Sequence, residues 1–188
     1  GAVRVVSSRG GNGKIISQTP GHYIEPSFSI DDEWVSYRKF TGGFLLDPAY
    51  SLDPGLYITH IDDKITRKIS DSGLRPHFAK NNERVYFTES VSGKPYPETQ
   101  LSSVNLQGND KRVHLYGADK VSEYRLSPDG KYVAFVHQFN TYVALFSDNG
   151  KQRTLSPTMT ALPVKQLSSR AGEYLTWSGD SQSIGWFH

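Results

Sequence analysis

The stretch Leu126-Ser127-Pro128-Asp129-Gly130-Lys131-Tyr132-Val133-Ala134-Phe135 decides the fold of this chain, because its pattern occurs four times in 188 residues. The other copies are Phe28-Ser29-Ile30-Asp31-Asp32-Glu33-Trp34-Val35-Ser36-Tyr37, Phe78-Ala79-Lys80-Asn81-Asn82-Glu83-Arg84-Val85-Tyr86-Phe87 and Trp177-Ser178-Gly179-Asp180-Ser181-Gln182-Ser183-Ile184-Gly185-Trp186. Their first positions are 50, 48 and 51 residues apart. Each copy places a large apolar residue first, Asp or Asn fourth, Val or Ile eighth and an aromatic tenth. A fixed period of this length marks an architecture built from one repeated supersecondary unit.

Each window reads as the end of one strand, a tight turn and the start of the next strand. Asp or Asn at the fourth place favours the turn, since its side chain bonds nearby backbone and it tolerates left-handed dihedrals. Pro128 and Gly130 give the third copy the strongest turn chemistry. The second copy has Lys80 and Asn82 in their places, which weakens its turn but not its register. The branched residue and the aromatic, two apart, share one face of the following strand. In Tyr132-Val133-Ala134-Phe135-Val136 the intervening residues are apolar too, so such strands need cover on both faces, as in a stack of sheets. Phe28, Tyr37, Phe78, Phe87, Phe135, Trp177 and Trp186 are expected to pack between these sheets.

Two more strands follow each window. They are expected at 56–61 and 65–69 around Asp62-Asp63-Lys64, at 100–106 and 111–115 around Gln107-Gly108-Asn109-Asp110, and at 141–147 and 151–155 around Asp148-Asn149-Gly150. Four antiparallel strands per unit, with no sustained helical period, give an all-β chain of β-propeller blades. The expected blades are 21–73, 74–119 and 120–170, with a further one split between 171–188 and 1–20. Residues 1–20 read as two strands joined by Gly10-Gly11-Asn12-Gly13, matching the half-unit that 171–188 lacks. Either the ends pair to close a four-bladed ring or the chain is an arc of a larger propeller. A start in mid-unit without methionine and a stop on a strand favour the arc.

Composition narrows the function. Lys plus Arg is 21 against 19 for Asp plus Glu, a net charge of +2 with no basic block, which argues against a nucleic-acid partner. The chain has no cysteine, which removes disulfides, thiolate metal sites and cysteine nucleophiles together. The longest apolar runs, Tyr132–Val136 and Tyr142–Phe146, are too short to insert in a membrane as helices.

No catalytic, cofactor or metal site is assigned. Gly-x-Ser-x-Gly is absent, and Gly10-Gly11-Asn12-Gly13-Lys14 reads better as a hairpin turn than as a phosphate cradle. Asp31-Asp32-Glu33 and Asp62-Asp63 fall in turns without the alternating spacing of a calcium loop. His77 and His137 lie in strands beside apolar residues and read as packed, hydrogen-bonded side chains. The remaining signal is loop length. The connections 39–55, 90–99 and 156–172 are long and are expected to gather on one face of the blades. Phe44, Leu45, Leu46, Tyr50 and Tyr96 in the first two are the candidate interaction residues, with back-packing of Phe44–Leu46 onto the ring as the alternative.

The window beginning Leu126-Ser127-Pro128-Asp129-Gly130-Lys131 resembles the signature repeat of TolB-like propellers. The order of Tyr142-Val143-Ala144-Leu145-Phe146, Leu162-Pro163-Val164-Lys165-Gln166-Leu167-Ser168 and Ala171-Gly172-Glu173-Tyr174-Leu175-Thr176-Trp177-Ser178-Gly179-Asp180 is similar to the propeller region before the catalytic barrel of exported, metal-dependent amidohydrolases. The resemblance implies a non-catalytic scaffold or access gate for a hydrolase domain outside this chain, in the periplasm or extracellular space. Its partner is then that catalytic domain, or a protein or peptide on the long-loop face. The alternative is a stand-alone propeller mediating protein–protein interaction in the cell envelope, and a third is a propeller that holds a sugar or metal in its channel. No His-x-His pair is present, so no metal ligand of that superfamily carries over.

Overall fold

The computed structural model describes residues 1–40, 52–91, 93, 98–118 and 120–187. The described residues hold strands and no helix. Strands β1 (Arg4–Val5) and β2 (Lys14–Ile15) form a small hairpin. The first four-stranded sheet is β3 (His22–Phe28), β4 (Trp34–Phe40), β5 (Gly55–His60) and β6 (Thr66–Ser70), hydrogen-bonded in that order. The second contains β7 (Leu74–Phe78), β8 (Arg84–Ser90), β9 (Thr99–Asn105) and β10 (Arg112–Gly117), extended by β14 (Arg153–Leu155). The third is β11 (Val121–Leu126), β12 (Tyr132–His137), β13 (Asn140–Leu145) and β15 (Val164–Gln166). A last pair, β16 (Glu173–Trp177) with β17 (Ile184–Phe187), ends the described chain. Among the described residues no pairing joins β1–β2 to β16–β17.

The repeated windows fold alike. Phe28 pairs with Val35, Phe78 with Val85, Leu126 with Val133 and Trp177 with Ile184, the same register four times. In three copies a serine organises the turn. The hydroxyls of Ser29, Ser127 and Ser178 donate to Asp31, Asp129 and Asp180 at 2.5, 2.6 and 2.5 Å. The same oxygens accept the N–H of Trp34, Tyr132 and Ser183 at 2.9, 3.0 and 2.9 Å. Ala79 replaces the serine in the second copy, where Lys80, Asn81 and Asn82 all take positive φ instead. The turns also touch in succession. Ile30 N–H donates to Asn82 Oδ1 (2.7 Å), Lys80 N–H to Pro128 O (2.9 Å) and Asp129 N–H to Ser181 Oγ (3.0 Å).

Between neighbouring sheets lies one apolar core each. Leu56, Ile58 and Ile69 meet Phe78, Val85, Phe87 and Val104 between the first two blades. Tyr86, Leu101 and Leu115 meet Tyr124, Val133 and Phe135 between the second and third. The strands next to the inner edge are therefore two-faced. Val133 and Phe135 of β12 point toward the second blade, while Ala134 and Val136 join Leu175 on the other side. Gly73 shows how close the approach is. At φ +126°, an added Cβ would lie 2.7 Å from Phe87 and 2.8 Å from Leu56.

Two expectations are corrected. Asp148-Asn149-Gly150 does not close a hairpin of the third blade: β14 pairs in parallel with β10 of the second blade, and β13 takes β15 as its neighbour. The gain is burial of Leu155, fully enclosed with Leu115 and Tyr124, together with partners for the open edge of β10. The segment 156–172 thus contains β15, and the long connection of this blade joins β13 to β15. It leaves at the end of the first turns, where Phe146 N–H donates to Lys131 O (2.7 Å), and not at the end of the other two long connections.

The second correction concerns the repeated aromatics. Tyr37, Phe78, Phe87 and Phe135 are buried, but Phe28 is 51% and Trp186 37% exposed. These two belong to the outermost blades: Phe78 and Leu126 are enclosed against the preceding blade, whereas among the described residues Val3 and Ile16 cover Val35 and Tyr37 but not Phe28.

This difference is measurable. Phe87→Ala should lower unfolding free energy in urea by about 3–5 kcal/mol, the usual cost of emptying a buried phenylalanine site. Phe28→Ala, at the same repeat phase as Phe78, should stay within about 0.5 kcal/mol of the parent.

Candidate axial binding site

The first strand of every blade has a neighbour on one side only, so its other edge presents unpaired backbone groups. These strands, β3, β7, β11 and β16, contact one another in succession. Each carries a bulge: at the same repeat position in three, between Ile24 and Ser27, Leu74 and His77, and Glu173 and Thr176, and slightly earlier in β11, between Val121 and Glu123. Glu25, Arg75 and Tyr174 there take φ of 58°, 53° and 57°. Bulges re-aim side chains and interrupt pairing. Here they let a side chain of one blade reach the free edge of the next. Glu25 Oε2 accepts the N–H of Arg75 at 2.6 Å. His77 Nε2 accepts the N–H of Leu126 at 3.1 Å. The Glu123 carboxylate accepts those of Leu175 and Tyr174 at 2.9 and 3.1 Å.

Charge follows the same path. Arg38 lies 3.8 Å from Glu25, and Arg75 Nε lies 3.4 Å from the buried Glu123. Burial pushes the Glu123 carboxyl above its ordinary value, opposed by Arg75 and the two backbone N–H groups. Burial pulls the His77 imidazole down to about 3, with the Arg125 charge acting in the same direction. His77 is thus neutral at physiological pH, Nδ1–H donating to Arg75 O at 3.0 Å while Nε2 accepts. Arg125 reaches from β11 to β3, donating to Ser27 Oγ at 3.2 Å, and its carbonyl accepts the Trp177 indole N–H at 3.0 Å. Burial lowers this guanidinium from its ordinary value, and Glu123 opposes the shift. Above these groups opens a cleft of about 280 Å³, lined by Ser27, Phe28, Ile30, Arg125, Thr176 and Trp177 among others.

Phe44, Leu45, Leu46, Tyr50 and Tyr96 lie outside the described residues. The strand ends bordering their loops, with the β6–β7 link, frame a second cleft of about 510 Å³ lined by Arg38, Lys39, Phe40, Gly73, Thr88 and Glu89 among others. His137 packs edge-on against Tyr142 at 6.1 Å. Asp63 is taken up by His60 and the Ile65 N–H, both at 3.0 Å. Lys14, after the glycine-rich turn, ties the hairpin to Ile61 O (2.5 Å) and Asp62 O (2.7 Å). Among the described residues no three His, Asp or Glu converge as metal ligands.

One constellation escaped sequence reading. Ser103 Oγ lies 2.7 Å from His114 Nε2, and His114 Nδ1 lies 3.2 Å from Asp148, the order of a nucleophilic relay. Ser103, however, has 0% exposure, and its oxygen also accepts Arg84 Nε–H at 2.8 Å. No carbonyl carbon can approach it. The trio instead ties the second blade to the turn that leads into β14.

The comparisons agree with the blade architecture. No family model and no curated protein matches the sequence. The crystal structure of TolB from Acinetobacter baumannii is similar over 100% of this chain and 43% of its own, with TM-score 0.67 and 19% identity. A protein provisionally designated TolB from Agrobacterium tumefaciens is similar over 100% of this chain and 66% of its own, with TM-score 0.66 and 16% identity. The β-propeller domain of the Trilobed protease from Pyrococcus furiosus, described with an open velcro topology, covers 85% of this chain and 46% of its own at TM-score 0.55 and 12% identity. The chain therefore spans between 43% and 66% of the length of these proteins. The likeness shows the fold: an all-β chain of TolB-like propeller blades.

His77 gives this site a pH signature. Its folded value, about 3, lies below the ordinary 6.5, so the unfolded chain takes up a proton first and stability falls as pH drops below about 6.5. Glu123, shifted upward, acts in the opposite sense. Between pH 6.5 and 5 (about the range where histidines titrate and most carboxylates stay charged), the urea midpoint of His77→Gln should fall less steeply than that of the parent.

Proposed function

We propose that this chain is a non-catalytic TolB-like propeller module, an arc of a larger propeller, that packs against or gates an associated catalytic domain. The sequence order from Tyr142 to Asp180 supports placing that domain in an exported, metal-dependent amidohydrolase, and hence in the periplasm or extracellular space. The observation that carries the interaction reading is the axial cleft. Its rim exposes Phe28 and Ile30, at 51% and 49%, whereas the repeat-phase aromatics Tyr37, Phe78, Phe87 and Phe135 are buried. Large apolar groups clustered at a concave surface that also holds a cation are the composition of a contact site. Likeness to the two TolB structures favours, as a second reading, a stand-alone interaction propeller of the cell envelope.

The coding sequence downstream of position 188 separates the two. A barrel with a His-x-His pair supports the first reading, and a stop codon supports the second. With the associated domain in hand, the double variant Phe28→Ser, Ile30→Ser should retain its circular dichroism and bind that domain about tenfold or more weakly, the scale expected on removing two apolar anchors. Unchanged affinity would remove the axial face from the interface.

A further inference from the structure

We infer that the axial cleft recognises an internal acidic side chain flanked by an apolar residue on an extended peptide segment of the partner. This rests on the interaction-module reading and specifies its chemistry. The inner strands and β4 bring together Arg38, Arg75 and Arg125 with Glu25 and Glu123, Arg38 coming from β4. Glu25 has Arg38, and Glu123 has Arg75. Arg125 is left over. Among the described residues it has no carboxylate within ion-pair distance and one side-chain hydrogen bond, to Ser27 Oγ at 3.2 Å. A guanidinium offers five donors in a planar fork suited to a carboxylate. Its remaining donors stay open to solvent at the cleft, where an arriving carboxylate can take them. Asp32 is the one carboxylate lining the cleft; it is exposed and makes no ion pair with Arg125.

The walls supply the other half of the recognition. Phe28 and Ile30 stand exposed on one side. Trp177 closes the other, its N–H already committed to Arg125 O, so that only the ring surface remains for contact. Arg125 lines the same cleft and is the more enclosed, half-buried where Phe28 and Ile30 stand exposed. A carboxylate must therefore extend on a side chain to reach it, which selects glutamate or aspartate within a segment over the end of a chain. A purely structural Arg125, bridging β11 to β3, predicts lost stability on substitution but no preference among ligands.

The probe is the blocked peptide acetyl-Gly-Phe-Glu-Gly-amide, titrated into isotopically labelled protein and followed by NMR at the Trp177 indole N–H and the Arg125 Nε–H. Saturable shifts at both are expected, with acetyl-Gly-Phe-Gln-Gly-amide binding at least about tenfold more weakly, since the bond to a charged acceptor is lost. Arg125→Gln should abolish the preference, and Arg125→Lys, which keeps the charge without the fork, should retain it in weakened form. Phe28→Ala should weaken both peptides and leave their ratio unchanged. Equal binding of the two peptides, or no saturable shift up to about 10 mM (weaker than any affinity that matters for a peptide site), overturns the assignment. Tighter binding of acetyl-Gly-Phe with a free C-terminus overturns the internal-residue part. If the peptides fail while the associated domain still binds, the interaction module stands and this assignment falls.

Discussion

Everything in this molecule depends on how the free edges of its first strands are satisfied. A strand edge facing neither water nor another strand leaves backbone N–H groups unpaired, and each such group is costly when buried. The chain solves this blade by blade with side chains: Glu25 for β7, His77 for β11 and Glu123 for β16. Each acceptor sits on one blade and each donor on the next. The same bonds that satisfy an edge therefore set the angle and spacing between sheets, which apolar packing alone, being non-directional, does not fix.

The binding chemistry grows out of this arrangement. Carboxylates recruited as acceptors need cations nearby, and the bulges that aim Glu25 and Glu123 bring Arg38 and Arg75 within reach of them. Arg125 lies in the same ladder of inward side chains and feels Glu123 and Glu25 from farther off, but among the described residues no carboxylate stands at ion-pair distance from it. It reaches across to Ser27 and lines the cleft. The neutral His77 beside it belongs to the same economy of charge, since a second cation there would meet both burial and Arg125.

The blades were legible because their determinants are local. Turn residues and alternating apolar positions repeat in the sequence, and the register of all four windows follows from them. The departures come from choices between neighbours that no window contains. Asp148-Asn149-Gly150 has hairpin chemistry, yet Leu155 is better buried against the second blade than along β13. Phe28 carries the same pattern as Phe78, but enclosure requires a preceding blade, which Leu56, Ile58 and Ile69 supply for Phe78. The axial groups were hidden for a different reason: a charged residue in a strand reads as solvent-facing. A signal did exist, since Glu25 and Glu123 each stand three residues before a window and recur at the same phase. The long-loop residues chosen from sequence lie outside the described structure, so the site reached by geometry is a different one.

The excursion of β14 has its own consequence. In a repeat array where each unit touches only the next, units can open one at a time from an end. Here a strand encoded after β13 is threaded along the outer margin of the preceding unit before the chain returns to complete its own sheet. Neither of these two units can come apart without tearing the other. The middle of the molecule therefore melts as one block, and any loosening under load begins at the two ends.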